Sequence, residues 1–258
     1  MTNVTRAVYT GANTELTVMR AWTRLGVAFT VRPATESVDL EDTIAQTAVL
    51  APSNERLFVM GATWLSARYM LVDARRLVVA LQQLDSRASA VAGALLTLAA
   101  ASTTGQTALH AAIAHCRPLR RPVPLFDTMR EHPKLLALVK RETPPMYRHW
   151  GLWHNDTRLA LDALRPVHWT LRHCPELRLR ALLGSGLDAR VAGVLADHPA
   201  TITELAAATG ATYAATHTAA SRLAGRGLLE PPAGNTRPKR WRVAPSLLSA
   251  ARIAFATS

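Results

Sequence analysis

Between positions 212 and 222 the chain sets out side chains able to touch the edges of base pairs. His217, Thr218, Ser221 and Arg222 share a helical face with Tyr213 and Ala214, and Thr212 opens the run. Imidazole, hydroxyl and guanidinium groups donate or accept hydrogen bonds. The small residues between them let a helix sink into a major groove, which is about 12 Å wide. Further on, the turn-rich run Pro231 to Arg240 carries Arg237, Lys239 and Arg240, and Arg242 follows in the alternating stretch Trp241-Arg242-Val243. Cations at a hairpin neutralise phosphates or enter a minor groove without reading a base. Double-stranded DNA is the partner that this combination of residue types predicts.

Several elements must position these groups. A first helix is expected from near Asp188, which can cap its own amides, through Val191, Val194 and Leu195. Asp197-His198-Pro199 ends it, because proline cannot continue the hydrogen-bond ladder. Thr201-Ile202-Thr203-Glu204 has the spacing of a capping box, and Leu205 and Ala208 then share a face. Gly210 can take the left-handed conformation of a sharp turn. The third helix runs from about Thr212 to Gly225, with Thr216, Ala219, Ala220 and Leu223 toward the core. Gly227-Leu228-Leu229-Glu230 leads into one strand, and Trp241 to Val243 returns as the second.

The run Thr201 to Ala206, Gly210, and the segment Arg222-Leu223-Ala224-Gly225-Arg226-Gly227-Leu228-Leu229 resemble winged helix-turn-helix transcriptional regulators of the MarR/ArsR-like kind. The resemblance covers the C-terminal quarter. It implies a recognition helix in the major groove, a wing beside it and a symmetric homodimer. In many relatives of this kind the domain is central or N-terminal. Here it follows a large helical body, so the dimer geometry and any effector site do not carry over.

The 258 residues carry a net charge of +12 and a sequence pI near 11.0. Such a balance favours polyanions, nucleic acid first and acidic membranes second. The charge is unevenly spread. Residues 1–87 hold 9 basic and 8 acidic side chains, residues 117–180 hold 13 and 6, and residues 188–245 hold 7 and 4. The middle segment is therefore as strong an electrostatic candidate as the C-terminal one. Aromatic residues make up only 5%, and alanine and leucine dominate, which favours helix packing over a sheet. Cys116 and Cys174, two thiols in a long chain, suggest a reducing, cytoplasmic setting. The polar N-terminus lacks the pattern of a signal peptide. The most apolar stretch, Ala88 to Ala101, falls short of the roughly 20 residues needed to span a bilayer, so a buried helix and no membrane association are expected.

The expected fold is mainly α: a helical N-terminal body and a C-terminal winged helix-turn-helix. Residues 1–116 form the body, with a strand at Arg6–Thr10, a helix over Thr14–Leu25, a short strand at Val27–Val31 and helices from Asp39, Asn54, Asp73, Ala88 and Leu109 onward. Ser102 to Gly105 reads as a turn. Arg117 to Pro124 holds three prolines and three arginines and reads as an extended, solvated linker. Residues 117–186 then form a proline-interrupted basic connector ending at the hinge Gly184-Ser185-Gly186. Residues 187–258 form the DNA-binding domain, with a tail helix over Pro245–Ala256. In the connector, Trp150, Trp153 and Trp169 alternate with Arg148, Arg158, Arg165 and Arg172. They are either core anchors rimmed by arginine, which is favoured, or a stacking surface for nucleic acid or a protein.

Other chemistry finds little support. No phosphate loop, GxGxxG, HExxH or paired CxxC occurs. His149, His154, His168, His173 and Cys174 match no usual zinc spacing. Asp39, Glu41 and Asp42 sit where a helix wants an acidic first turn, so capping explains them better than a metal-dependent nucleotidyl-transfer site. No enzyme activity, cofactor or metal is expected. The reading that follows is a sequence-specific transcriptional regulator, a repressor acting as a homodimer. The alternative is an antitoxin-like or adaptor protein whose helical body grips a protein partner, with DNA binding used for autoregulation or absent.

Overall fold

Three helices of the first part of the chain begin where a short polar side chain takes an unpaired amide. Asp39 Oδ1 accepts from the Asp42 amide at 3.1 Å, Asn54 Oδ1 from Leu57 at 3.2 Å and Asp85 Oδ1 from Ala88 at 2.8 Å. These caps open α2 (Leu40–Leu50), α3 (Glu55–Arg68) and α5 (Ser86–Ala101). The computed structural model describes residues 11–103, 108–232, 238–247 and 249. The strand expected at Arg6–Thr10, the end of the turn at Thr104 and Gly105, the wing tip from Ala233 to Arg237 and nearly all of the tail helix beyond Leu247 lie outside the described residues.

The remaining helices are α1 (Gly11–Arg24), α4 (Ala74–Leu81), α6 (Ala108–Ile113), α7 (Pro133–Glu142), α8 (Pro145–His149), α9 (Val167–His173), α10 (Pro175–Leu183), α11 (Leu187–Asp197), α12 (Ile202–Thr209) and α13 (Tyr213–Gly225). Strands β1 (Val123–Pro124) and β2 (Leu152–Trp153) pair in parallel, and β3 (Leu229–Glu230) and β4 (Arg242–Val243) pair antiparallel. The chain is thus mainly helical with small sheets. No helix among the described residues is long and apolar enough to cross a membrane. Those residues divide into two compact units. One holds the residues up to Tyr69 and from Arg76 to Pro166; the other holds Met70–Arg75 and the residues from Val167 on. The expected boundaries at 116/117 and 186/187 fall inside these units.

The first unit is built on interlocked tryptophans. Trp22 and Trp64 are fully buried with ring centroids 5.6 Å apart, and both indole N–H groups are satisfied: Trp22 by Thr47 Oγ1 at 2.7 Å, Trp64 by the Leu25 carbonyl at 2.9 Å. The Leu25 carbonyl also accepts from Arg68 Nη1 at 2.8 Å, so a guanidinium is buried in this core, facing the Trp64 ring. Helix α5 is buried on almost every side, as its alanine-rich sequence suggests. Val27, expected in a strand, makes one antiparallel bridge to Leu164.

The proline-rich segment is extended, but it is not a linker. Leu119 N–H donates to the Trp150 carbonyl at 3.1 Å, Val123 to Gly151 at 3.1 Å and Leu125 to Trp153 at 3.0 Å. The prolines at 118, 122 and 124 occupy the alternate positions, whose amides would point away from the partner, so they remove no ladder bond. Leu125 and Phe126 then enter the core, with Phe126 edge-on to Phe58 at 5.8 Å. This pairing welds the segment into the first unit.

Of the three connector tryptophans, Trp150 is a core residue, 2% exposed, with Nε1 donating to Thr97 Oγ1 at 3.1 Å. Trp153 is half-buried beneath Lys140 Nζ, and Trp169 is half-buried and stacked on His173 at 3.9 Å. Leu179 and Leu183 of α10 pack on the apolar cluster of the second unit, which is why the connector does not stand alone.

Candidate nucleic-acid interface

In the second unit, α11, α12 and α13 close around Val191, Ala192, Leu195, Ile202, Leu205, Ala219, Ala220 and Leu223, all buried. Thr201 Oγ1 accepts from Glu204 N at 3.2 Å, and Glu204 Oε2 accepts from Thr201 N at 2.8 Å: the capping box is formed. Gly210 takes φ +65° and turns the chain sharply into Thr212, whose hydroxyl accepts from the Ala215 amide at 3.3 Å and caps α13. After α13, Leu229 pairs with Val243 and Glu230 with Arg242. A third backbone partner went unnoticed in the sequence. Ala200 and Trp241 exchange two hydrogen bonds, 3.2 and 2.8 Å, beside the hairpin.

Helix α13 has two unlike faces. Thr216, Ala219, Ala220 and Leu223 are buried. Thr212, Tyr213, Ala214, His217, Thr218, Ser221 and Arg222 are exposed, Tyr213 to 59%. Tyr213 and His217 lie nearly parallel, 6.3 Å apart, and His217 meets the Trp241 ring edge-on at 6.5 Å. The Trp241 contact brings β4 alongside the exposed face. Thr218 donates to the Ala214 carbonyl at 2.9 Å, which leaves its oxygen lone pairs outward.

The cations fall into two classes. Arg222 is held side-on by Asp188 of α11: Nε to Oδ2 is 3.0 Å, and Nη2 donates to Oδ1. That carboxylate pushes the Arg222 pKa up still further. Asp188 was expected to cap α11; instead Gly186 occupies the cap position without a side-chain bond, and the Asp188 carboxylate serves Arg222. Arg240 is likewise engaged, with Nη2 2.9 Å from Glu204 Oε1 and Nη1 2.9 Å from the Pro199 carbonyl. The Thr201 amide, with Arg240 adding to it, holds the Glu204 carboxyl below its ordinary range. The phosphate role expected of Arg240 therefore competes with an ion pair that sequence inspection did not anticipate. By contrast the Lys239 and Arg242 side chains are exposed and make no ion pair or hydrogen bond among the described residues. The Arg226 side chain is exposed in the same way, a further cation one turn after Arg222. Arg237 lies outside the described residues.

Inside this unit Arg190 bridges two segments. Its Nη1 donates to the Thr209 carbonyl at the end of α12 at 2.7 Å, and its Nε lies 3.1 Å from the buried Asp73 carboxylate.

The alternative chemistries have other occupants. Asp39 caps α2 and pairs with Arg76, and Glu41 is buried 3.6 Å from the same arginine. No group of three His, Cys, Asp or Glu side chains among the described residues is arranged to hold a metal ion. His154 is buried, its Nε2 2.8 Å from Thr157 Oγ1, and burial pushes its pKa down to about 4. Tyr147 donates to the same hydroxyl at 2.7 Å. Comparison with protein-family models, with curated proteins and with solved structures found no match for this chain.

Proposed function

We propose that the C-terminal part of the second unit is a winged helix-turn-helix and that the protein is a sequence-specific DNA-binding transcriptional regulator. The observation that carries this reading is the open face of α13. A polar, small-residue stripe, Tyr213 to Arg222, is uncovered opposite a fully packed one. Three helices, a left-handed glycine turn and a cationic hairpin follow in the order such a module requires. In this reading Tyr213, His217, Thr218, Ser221 and Arg222 meet base edges, Thr212 approaches the backbone at the helix start, and Arg226, Lys239 and Arg242 neutralise phosphates. Arg240 holds the wing to α12 through Glu204.

The test is binding to duplex DNA selected from a random pool. Affinity should fall steeply with salt, and the slope should shrink by about one for each of Lys239→Gln and Arg242→Gln, uniformly across sequences. Half-sites in the selected pool would report a homodimer. Duplex binding that is unchanged when Arg222, Lys239 and Arg242 are all neutralised would sink the assignment.

A second reading, a protein partner held by the first unit, is favoured by α7. This helix exposes Leu135 and Leu138 to 41% and 39% between Lys134 and Arg141. A hetero-complex that survives gel filtration and is lost in Leu135→Glu would support it.

A further inference from the structure

We infer that Asp188 is a specificity-determining residue, holding Arg222 so that its free end reads a guanine. The inference rests on the DNA-binding reading above and adds to it the base that is recognised and a residue outside α13. Asp188 engages the Nε and Nη2 edge of the guanidinium. What remains is Nη1 and the second Nη2 hydrogen, two donors side by side at the tip, with no partner among the described residues. Guanine alone presents two adjacent acceptors, O6 and N7, to the major groove. Adenine sets a donor beside its acceptor, cytosine offers a donor, and thymine offers one acceptor beside a methyl group.

A free arginine would have to lose rotamer freedom to make that contact. A carboxylate that has already fixed the fork removes much of this loss. The same carboxylate repels phosphates, so placing it on this face works against binding driven by charge alone. The Asp188 side chain is only 13% exposed while that of Arg222 is 54% exposed, so the carboxylate is sheltered and the guanidinium tip stays open to a partner.

The experiment uses the full chain. Duplexes are selected from a random pool, and then affinities are measured by fluorescence anisotropy at one salt concentration for the selected site and for its three substitutions at each guanine. The expected result is one guanine per site whose replacement weakens wild-type binding about tenfold or more. In Asp188→Asn that preference should collapse to within about twofold, while affinity for random duplex rises. In Arg222→Lys, which keeps the charge but cannot fork, the same position should lose its preference. Guanine preference retained in Asp188→Asn, or a selected site without guanine, overturns the inference and leaves DNA binding intact. If Asp188→Asn unfolds, Asp188→Ser, whose hydroxyl is too short to span the guanidinium edge, decides by the same measurement. Absence of duplex binding by the wild-type chain removes the DNA-binding reading itself, and the inference with it.

Discussion

Helices α5 and α13 draw on similar materials and use them in opposite ways. Both are rich in alanine and carry hydroxyl side chains. In α5 the small residues let neighbours close in from nearly every direction. A Cβ added at Gly93 would lie 2.5 Å from the Trp150 ring, and the hydroxyls are consumed internally, Thr97 by the Gly93 carbonyl and Trp150, Ser89 by the Arg117 amide. In α13 the same kind of residue packs on one side only. Thr216 is buried and donates to the Thr212 carbonyl at 2.9 Å, whereas Thr218 and Ser221 look outward. Small side chains are thus enclosed by the chain in one helix and left exposed along one face of the other. The difference lies in whether large apolar residues of the same chain reach them.

Substitutions should expose this contrast, most strongly in the first unit. Trp150→Ala should destabilise that unit by about 3–5 kcal/mol in denaturant unfolding, because it empties a packed site and removes the indole donor to Thr97. A loss below about 1 kcal/mol would mean that α5 is not packed as described. Next comes acid. An unfolded histidine titrates near 6.5, but His154 in the folded chain is held down to about 4 by burial. Between those values the unfolded chain binds a proton that the folded chain does not. The stability His154 allows is therefore present above pH 6.5, falls as pH drops and is gone below about pH 4, a loss of about 3 kcal/mol. Unfolding curves at pH 7, 5 and 4 should show it, and His154→Gln should flatten the dependence.

In the second unit the effects are smaller. Thr201→Ala removes the acceptor half of the capping box and should cost about 1 kcal/mol, read as a drop in thermal midpoint. At the outer face of α13, Thr218→Ala and Tyr213→Ala should each change stability by less than about 0.5 kcal/mol while weakening DNA binding. A large stability loss there would show that this face is covered, and the comparison with α5 would fail.

Much of the second unit was legible in advance because its signals are local. A threonine and a glutamate three residues apart, a glycine after the last apolar position and buried residues at helical spacing define α12 and α13 within a residue or two. The site was legible only in part. The face of α13 could be read from periodicity, but the partners of its cations could not. Arg222 and Asp188 are 34 positions apart and Arg240 and Glu204 36, so nothing in local spacing joins them. The proline-rich segment misled for a related reason. Three prolines signal poor pairing unless their register is known, and the register depends on residues 150–153.

From its sequence alone this protein settles where its helices start and stop and which stripe of each is apolar, because caps, glycine turns and side-chain periodicity act over a few residues. Tertiary structure alone settles which carboxylate meets which arginine, that Arg68 is buried, that Ala200 joins Trp241 and that residues 117–125 lie along 150–153. Those contacts form between distant segments once the cores have packed, and their geometry is set by that packing rather than by neighbours in the chain.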